Sequence, residues 1–544
     1  MIQRSLMIVA LGATVALPFI LRPGQSVPRR AEVTLVIITP HNEAIRREFG
    51  AAFQRWFQGE TGRTVFVDWR VIGGTSEILR YLDGEYTNAF QNHWTNTLGR
   101  PWNNATLAAF QNPRVVPGPA PERDTPAGAA RRAFLASDVG CGIDLFFGGG
   151  TYDFIREAEA GHIVDCGVLQ GHPELFSDGV IPHFFAGGEY WDGAGRWFGS
   201  VLSNYGIIYN RDSLRRLGLE RDPRLWTDLQ DPRLRGEVAL ADPTKSSSMA
   251  TAFENVIQQQ IQRRWLTLQS ANPRGDAKAM ENQALREGWL EGLRLLQLIG
   301  ANARYFTDSS QKPPIDVAAG NCAAGMCIDF YGRQEEEAMR RRGGSDRLAF
   351  VTPAGGTANS VDPIALLRGA KNREVGIAFI EWVLSLDAQK LWNFKPGTPG
   401  GPEQYALRRM PVRRDFYDHG DWKPLRSDPE VSPFAEADQL VYHAGWTGGL
   451  FREMAFVIRV MCLDAHPELV AAWRAVIAAG RPAGAMAVLQ EMSAVDYDQA
   501  GGVIKAALNS KDKVEELKLA QTLGRHFREQ YRRAAEIARA SPGS

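Results

Sequence analysis

Short runs of β-branched and aliphatic residues alternate along the first part of the chain with segments whose apolar positions recur every three or four residues. Val33–Ile38 is a run of the kind that is buried in a parallel sheet, and Thr64–Trp69 starts a second one. Between them, Ala44–Phe57 carries one apolar face at helical spacing. This alternation of strand and helix is typical of a doubly wound α/β sheet.

The alternation is interrupted over residues 84–137, which are rich in Asn, Thr, Pro and Arg. Several prolines lie close together there, so we predict an insertion with little regular structure after Asn112. The alternation resumes at Ile143–Phe147, a strand that is closed by three glycines. From about residue 400 the strand pattern is absent, which predicts a mostly helical C-terminal region.

Length and charge limit the classes of protein that fit. The 544 residues exceed what one hydrophobic core usually supports, so we expect two or more lobes. Lys+Arg and Asp+Glu both number 62, which gives a formal net charge of zero. Because no basic excess attracts nucleic acid or an anionic membrane, we predict no nucleic-acid partner.

The N-terminus has the layout of a secretory signal. Met1–Arg4 is a short basic start, and the uncharged, largely apolar run Leu6–Leu21 follows it. As a helix this run would rise about 24 Å, which is short of the ~30 Å hydrocarbon core. We expect residues 1–31 to be a signal peptide, or an uncleaved signal anchor whose tether is residues 22–31. A buried N-terminal helix is the alternative.

The five cysteines leave two interpretations open. In an oxidising compartment the near-neighbour pairs are Cys141 with Cys166 and Cys322 with Cys327, and Cys462 is left over. The alternative is that all of them are small buried hydrophobic residues, which we favour slightly for each pair. No C-x-x-C spacing of a redox or zinc site occurs.

Five segments, in order, resemble the type II periplasmic binding proteins of ABC transporters, specifically the family-1 group that includes the ferric-iron binders. They are Val33–Ile38 with the loop Thr39–Glu43, Ile143–Gly150, the crossing strand Tyr205–Asn210, the turn Ala241–Ser246, and Val361–Leu366 with its following helix. The likeness covers about residues 33–83 and 138–395.

The resemblance implies two doubly wound α/β lobes joined by a hinge and closing over a ligand. We expect residues 32–203 to form the first lobe, with the insertion at 84–137. The second lobe would be 204–352, residues 353–399 would return to the first lobe, and 400–544 would be the helical C-terminal extension. In open α/β sheets, ligands bind where loops and helix N-termini meet at the carboxyl ends of strands.

The candidate ligand-binding residues lie in the turns that follow the predicted strands and on the strands that cross between lobes. They are Thr39, His41, Gly74, Thr75, Ser76, Gly150, Thr151, Ser203, Tyr205, Thr244, Ser246, Ser247, Asp329, Tyr331 and Asp362. The hydroxyl-rich turn Pro243–Ser248 precedes a long helix, so its hydroxyls and free N–H groups suit an anion. Ordinary N-capping, which needs a single Ser or Thr, is the alternative.

A metal ligand set is less well supported. The resemblance to the iron binders implies adjacent tyrosines in the second lobe, but this chain has Phe330–Tyr331 there. One phenol is missing, so we expect weak or no ferric binding through a phenolate pair. Tyr331 and His41 stay as candidate metal ligands, and Asp329 with Tyr331 could bind a metal or another cationic or hydroxylated ligand. Ferric ion, a phosphate or phosphonate ester, and another small organic solute all stay open.

The resemblance implies an exported, monomeric solute-binding protein that delivers a small-molecule or ion ligand to the permease of an ABC importer. It would work in the periplasm or otherwise outside the cytoplasm, with no cofactor and no catalysis. Two rival classes stay open: a membrane-tethered sensory or scaffold protein with the same fold, and a hydrolase. The chain has no H-E-x-x-H or G-x-S-x-G motif that would start a hydrolase mechanism.

The apolar run Leu6–Leu21 generates a prediction about export. A reporter fused after residue 32 should be found outside the cytoplasm, because the basic start and the apolar run would direct it there. Fractionation of cells that carry the fusion is the measurement, and a fusion that lacks residues 1–21 is the control. A reporter that stays in the cytoplasm in both cases would contradict export.

Overall fold

The computed structural model describes residues 31–343, 346–434, 439–510 and 512–541. The predicted signal, with its apolar run Leu6–Leu21, lies in residues 1–30 and so outside the described residues. Among the helices of the described part, none is both long and apolar enough to cross a membrane.

The described residues form strands and α-helices in three sheets and a set of helical layers. The strands are β1 Val33–Ile38, β2 Val65–Arg70, β3 Leu145–Phe147, β4 Ile163–Val164, β5 Phe184–Phe185, β6 Gly188–Glu189, β7 Trp197–Ser203, β8 Tyr205–Asn210, β9 Val238–Ala241, β10 Ala303–Thr307, β11 Ala324–Ile328, β12 Leu348–Val351, β13 Ser360–Leu367 and β14 Met410–Pro411. The α-helices are α1 Glu43–Thr61, α2 Thr75–Asn92, α3 Asn104–Ala109, α4 Pro126–Leu135, α5 Thr151–Ala160, α6 Val168–Gly171, α7 Arg211–Arg216, α8 Ser247–Ala271, α9 Ala277–Ala301, α10 Lys312–Ala318, α11 Asp329–Arg341, α12 Arg373–Leu384, α13 Leu386–Asn393, α14 Ala444–Thr447, α15 Phe451–Ile458, α16 His466–Ala478, α17 Ala483–Leu489, α18 Tyr497–Gln499, α19 Lys505–Leu508 and α20 Lys513–Ala540.

Two mixed sheets organise the molecule. The first has the order β14-β7-β13-β3-β1-β2, with β4 beside β13. The second has the order β10-β9-β11-β8-β12, and β5 and β6 form a separate hairpin. β1 runs parallel to both β2 and β3, whereas β13 is antiparallel to β3 and β7. The predicted α/β class with two sheets and a helical C-terminal region is confirmed.

The chain crosses between the two sheets at a few residues. Asn204 alone separates β7 of the first sheet from β8 of the second, and residues 352–359 lead back from β12 to β13. Asp329 holds the first crossing, because its Oδ1 accepts a hydrogen bond from the Asn204 N–H at 3.3 Å and its own N–H donates to the Asn204 carbonyl at 3.0 Å. Thr357 Oγ1 joins the two crossings by accepting from the Tyr205 N–H at 3.2 Å.

The first helix shows how the apolar pattern positions the loop before it. Asn42 caps α1 by accepting the Ile45 N–H at 3.0 Å, and Gly62 ends it in the left-handed conformation with φ 71°. The side chains of Phe49 and Phe53 are fully buried against the first sheet. This burial fixes the start of α1 beside the carboxyl end of β1, where the candidate loop lies.

The prediction of little regular structure after Asn112 is wrong. After Asn112 the insertion forms a 3₁₀ turn at Pro121–Arg123 and the ten-residue helix α4, whereas α3 and the end of α2 lie before Asn112. Thr125 caps α4 and Pro126 occupies its first turn, where the missing N–H of proline costs nothing. The clustered prolines predict an irregular segment, but Pro126 begins a helix. Tyr86 of the insertion stacks on His162 of the first lobe, with ring centroids 4.2 Å apart, and this contact holds the insertion to the lobe.

The predicted start of the helical extension at residue 400 also differs from the structure. Residues 400–434 and 439–443 are mostly irregular, with two short 3₁₀ turns among them, and the α-helices of the described part begin again at Ala444. Met410–Pro411 pairs with β7 and so extends the first sheet. The helices after Ala444 pack on α8 and α9 of the second lobe, where Trp289 Nε1 donates to the Val495 carbonyl at 3.0 Å. A two-residue strand is too short to produce a periodic signal in the sequence.

The five cysteines have free thiols in the structure. Cys166, Cys322, Cys327 and Cys462 are buried and Cys141 is half-buried. The structure therefore agrees with the interpretation of buried hydrophobic residues and not with the near-neighbour disulfides.

Glu48 on α1 anchors the irregular segment to the first lobe. Its Oε2 accepts the Glu403 N–H at 2.7 Å, and its Oε1 accepts the N–H groups of Gln404 and Tyr405, each at 2.9 Å. The residue is buried, so these three bonds satisfy a carboxylate that water does not reach. The segment after α13 is therefore fixed before it enters the site.

We expect Glu48→Gln to lower the free energy of unfolding by about 1.5–3 kcal/mol, because an amide NH₂ replaces one acceptor oxygen in front of a backbone N–H. Denaturant titration measures the change. Glu60→Gln, on the exposed end of the same helix, is the matched control and should change stability by less than about 0.5 kcal/mol. Equal stability of the two variants would contradict the anchoring role.

Candidate functional site: the cavity between the two lobes

A cavity of about 530 Å³ lies between the two lobes. Eight of the fifteen residues predicted from the sequence line it: His41, Gly74, Thr75, Ser203, Tyr205, Ser246, Tyr331 and Asp362. These residues come from the loops after β1 and β2, the two crossing segments, the turn before α8 and the start of α11. Tertiary structure thus brings together residues that are more than 300 positions apart in the chain.

Four helices of more than ten residues begin at the cavity. The lining includes Glu43 of α1, Thr75 of α2, Ser248 of α8 and Phe330 of α11, each in the first turn of its helix. Two of these helices belong to each sheet, so both lobes point helix N-termini at the same space. The N-terminus of α2 has no side-chain cap, which leaves its first N–H groups available to a ligand, whereas the first N–H of α11 donates to the Asn204 carbonyl.

An ion pair between Arg409 and Asp362 forms the floor of the site. Arg409 Nη1 donates to Asp362 Oδ2 at 2.7 Å, and its Nη2 donates to Ser203 Oγ. His41 Nε2 lies 3.4 Å from Asp362 Oδ2 and 3.3 Å from Arg409 Nη1. Four segments that are remote in sequence therefore share one hydrogen-bonded group.

Two aromatic rings enclose the guanidinium of Arg409. Its central carbon lies 4.4 Å from the centroid of Phe330 and 5.4 Å from that of Trp392. The side chain is fully buried, so the cation is stabilised by the two ring faces and by the Asp362 carboxylate instead of water. Phe330 thus has a packing role in the position where the resemblance implies tyrosine.

The buried pair sets the charge state of the floor. Burial alone would raise the pKa of Asp362, but the Arg409 charge and the hydrogen bond to His41 lower it to about 2. Burial lowers the pKa of His41, and the Arg409 charge adds to this, against the opposing hydrogen bond to Asp362. At neutral pH the floor is therefore an arginine–carboxylate pair beside a neutral imidazole.

Sequence reasoning missed Arg409, because the residue lies past the region where the family likeness was seen. It follows Arg408 in an irregular segment without a motif. Arg408 itself has a positive φ of 55°, and its guanidinium pairs with Asp428 at 2.5 Å. Two adjacent arginines between the apolar residues Leu407 and Met410 are a weak signal, and nothing in the sequence shows that one of them is fully buried.

The hydroxyl-rich turn divides into residues that serve the helix and residues that face the cavity. Thr244 Oγ1 donates to Asp242 Oδ1 at 2.7 Å and does not line the cavity. Ser246 lines the cavity and also caps α8, because its Oγ accepts the Met249 N–H at 3.4 Å. Ser248 lines the cavity, although it was not among the candidates, whereas Ser247 is buried outside the lining.

The other candidates support the site without lining it. Thr39 is fully buried, and its Oγ1 accepts the His41 N–H at 3.1 Å. Asp329 is fully buried at the first crossing, 3.1 Å from Arg333 Nη1, and burial raises its pKa. Ser76 lies in the first turn of α2, and Gly150 and Thr151 lie at the start of α5, outside the lining.

Burial disfavours the two phenols at the cavity as ligands of a hard metal ion. Tyr331 and Tyr205 both line the cavity, and burial raises the pKa of each hydroxyl, which opposes phenolate formation. His41 Nε2 already faces Asp362 and Arg409, so it is not free to bind metal in this arrangement. The buried arginine also disfavours a second cation next to it.

Two other features of the described residues are weaker candidates for a functional site than the interlobe cavity. Asp83, Glu157 and His162 place one ligand atom each within 4.8 Å of one another. However, His162 Nδ1 already pairs with Glu157 at 2.6 Å, and Asp83 pairs with Arg156 at 2.6 Å. A surface depression of about 1,560 Å³ between the second lobe and the C-terminal helices is larger than the cavity. Two ion pairs, Arg211 with Asp222 and Arg233 with Asp231, lie in its lining, and only one of the predicted strands, β11, reaches it, so we favour the interlobe cavity.

Comparison with known proteins identifies a domain that contains most of the cavity. The family model described as bacterial extracellular solute-binding protein matches residues 143–416, just over half of the chain. A curated relative, an uncharacterized protein of Haemophilus influenzae, is 26% identical over 249 residues. That match covers 46% of this chain, and the chain spans 60% of the length of the relative.

Solved structures with a similar shape are periplasmic binding proteins. P5PA is 15% identical, with a TM-score of 0.47, and the match covers 78% of this chain and 95% of P5PA. AfuA from Actinobacillus pleuropneumoniae, solved with fructose-6-phosphate, is 16% identical with a TM-score of 0.43, covering 73% and 99% of the two chains. Iron-bound HitA from Pseudomonas aeruginosa is 16% identical with a TM-score of 0.43, covering 78% and 99%.

The ion pair predicts a pH-dependent difference in stability between the wild type and Asp362→Asn. The pKa of about 2 in the folded state lies below the ordinary ~3.9, so the pair stabilises the fold above about pH 4 and this stability is lost as the pH falls towards 2. At pH 7 the variant leaves Arg409 buried without a counter-charge, which should cost about 3–5 kcal/mol.

Denaturant titration at pH 7 and pH 3 is the measurement. The difference in the free energy of unfolding between the wild type and Asp362→Asn should be smaller at pH 3 than at pH 7. The exposed control Asp178→Asn should differ little from the wild type at either pH. If Asp362→Asn lowered the free energy of unfolding by the same amount at both pH values, the stabilising ion pair between Asp362 and Arg409 would be contradicted.

Proposed function

Because this chain belongs to the bacterial extracellular solute-binding proteins, we propose that it captures a small anionic solute in the interlobe cavity, outside the cytoplasm, and delivers it to an ABC importer. The observation that carries this proposal is the convergence of four helix N-termini, two from each lobe, on one cavity of about 530 Å³. A space of this size suits a small solute.

The charges around the cavity favour an anion. Each helix N-terminus acts as roughly +0.5 of an elementary charge, so the four contribute about +2. The lining side chains supply two cations, Arg46 and Lys245, and three carboxylates, Glu43, Glu77 and Asp308, while Asp362 is neutralised by its arginine. Glu77 also pairs with Arg80 at 2.5 Å, and we propose that the helix N-termini together with Arg46 and Lys245 outweigh the lining carboxylates and so favour an anion.

The two lining cations come from opposite sides of the cavity. Arg46 lies on α1 of the first lobe, and Lys245 lies in the turn before α8 of the second. An anion between them would be attracted to both lobes at once, so its binding would favour the closed arrangement. The lining hydroxyls of Ser248, Tyr205 and Tyr331 would bind the polar remainder of the solute.

The partners follow from this role. We propose that the closed, ligand-loaded chain binds the permease of an ABC importer as a monomer. Family membership supports capture and delivery in general, and the charge arrangement supports the narrower choice of an anion over a ferric ion. The first experiment is mass spectrometry of the solute released from protein purified without refolding, with metal analysis of the same sample. An anionic organic or phosphate-containing solute supports the proposal, and stoichiometric iron contradicts it.

Lys245→Met should weaken binding of the released solute about 10- to 100-fold. The reason is that a charge-assisted hydrogen bond is worth roughly 1.5–3 kcal/mol and each ~1.4 kcal/mol is a factor of ten in affinity. Isothermal titration calorimetry measures the affinity. Lys371→Met removes an exposed lysine on the first lobe and should leave it unchanged. Equal affinities for the two variants would contradict the anion site.

A further inference from the structure

The C-terminal helices touch the first lobe although they are attached to the second. Tyr152 on α5 of the first lobe packs against Phe451, the first residue of α15, with ring centroids 4.8 Å apart. Phe451 is 8% exposed and Tyr152 is 36% exposed, so the tyrosine covers a side chain that would otherwise face solvent. This aromatic pair lies outside the cavity lining.

Phe451 is held firmly to the second lobe. Just before it, Thr447 Oγ1 donates to the buried carboxylate of Glu254 on α8 at 2.6 Å. Gln258, one turn further along α8, exchanges two hydrogen bonds with the backbone of His443, at 2.8 and 3.0 Å. A movement of α8 therefore carries Phe451 with it.

Tyr152 is equally well fixed to the first lobe. Its neighbour Phe154 is fully buried and stacks on Phe146 of β3, with centroids 4.2 Å apart. Consequently α5 moves with the first sheet. The contact between Tyr152 and Phe451 must break if the lobes separate along this edge.

The same edge carries the direct contacts between the lobes. A Cβ placed on Gly150, just before α5, would lie 3.7 Å from Ser247 Oγ at the start of α8. A Cβ on Gly74 would lie 3.1 Å from the Lys245 carbonyl oxygen. Both glycines lie beside the cavity in the first lobe. Both are in van der Waals range of the start of α8 or the turn before it in the second lobe, so the two lobes touch at this edge of the cavity. The contact between Tyr152 and Phe451 adds to these contacts between the lobes on the same edge.

We infer that Tyr152 and Phe451 form an aromatic clamp through which the C-terminal helices help to close the two lobes over the cavity. The clamp is absent from the domain that the family model matches, residues 143–416, because Phe451 lies beyond it. The helical region would then contribute to lobe closure, because closing the lobes buries Phe451 under Tyr152. This inference rests on the proposed capture function, since it concerns the same cavity, but its test requires no identified solute.

The test measures the distance between the lobes in the full chain by pulsed dipolar electron paramagnetic resonance. Spin labels on Glu60→Cys at the end of α1 and Ser270→Cys at the end of α8 report on the two lobes, and both positions are exposed. Cys141→Ser removes the half-buried thiol, and the other four cysteines are buried. The protein is purified without refolding.

We expect the wild type to show a short-distance, closed population. Tyr152→Ala and Phe451→Ala should each lower the closed-to-open ratio about 3- to 10-fold, the size expected for one aromatic pair. The double variant should be no more open than the more open of the two single variants, because both substitutions remove the same contact. Phe184→Ala, which removes an aromatic ring 57% exposed on the β5–β6 hairpin, is the control and should leave the ratio unchanged.

Equal distance distributions in the wild type and both single variants would overturn the clamp, and so would a wild type without the closed population. A shift in the variants together with stoichiometric iron in the purified protein would support the clamp while contradicting the proposed anion. An anionic solute with unchanged distances would leave the capture function supported and contradict the clamp alone.

Discussion

The buried ion pair between Arg409 and Asp362 is the constraint on which the architecture of the site depends. Each charge is costly to remove from water, and neither could occupy the interior alone. Their pairing fixes β13 against the irregular segment that follows α13, and Nη2 of the guanidinium donates to Ser203 Oγ at the end of β7. The end of one crossing strand, the start of the other and the C-terminal segment are therefore positioned by one group.

This pair also gives the cavity its chemical character. Because Asp362 is paired with Arg409, the other charges at the cavity are the helix N-termini, the cations Arg46 and Lys245, and the carboxylates Glu43, Glu77 and Asp308. Phe330 packs on the guanidinium instead of offering a phenol to a metal. The same substitution that removes one expected iron ligand thus provides a wall for the buried arginine, which is consistent with a binding site for an anion instead of a hard cation.

The C-terminal part of the chain has two roles that differ physically. Residues 403–411 belong to the first lobe and to the hinge: Glu48 fixes their backbone, and Gln334 Nε2 on α11 donates to the carbonyls of Ala406 and Leu407 at 3.2 and 3.1 Å. The helices after Ala444 are bound to α8 and α9 of the second lobe. Contacts from one continuous segment to both lobes couple the C-terminal region to any opening movement.

The sequence by itself determined the α/β class, the two sheets and eight of the cavity residues, because strand periodicity and strand-end turns are local features. It could also identify the missing phenol at Phe330. Only the tertiary structure decided that Arg409 completes the floor, that Ser246 both caps a helix and lines the cavity while Ser247 does not line it, and that Pro126 begins a helix. These outcomes depend on which remote segment lies opposite each residue. The burial of one arginine, Arg409, against two aromatic rings produces no periodic pattern in the sequence.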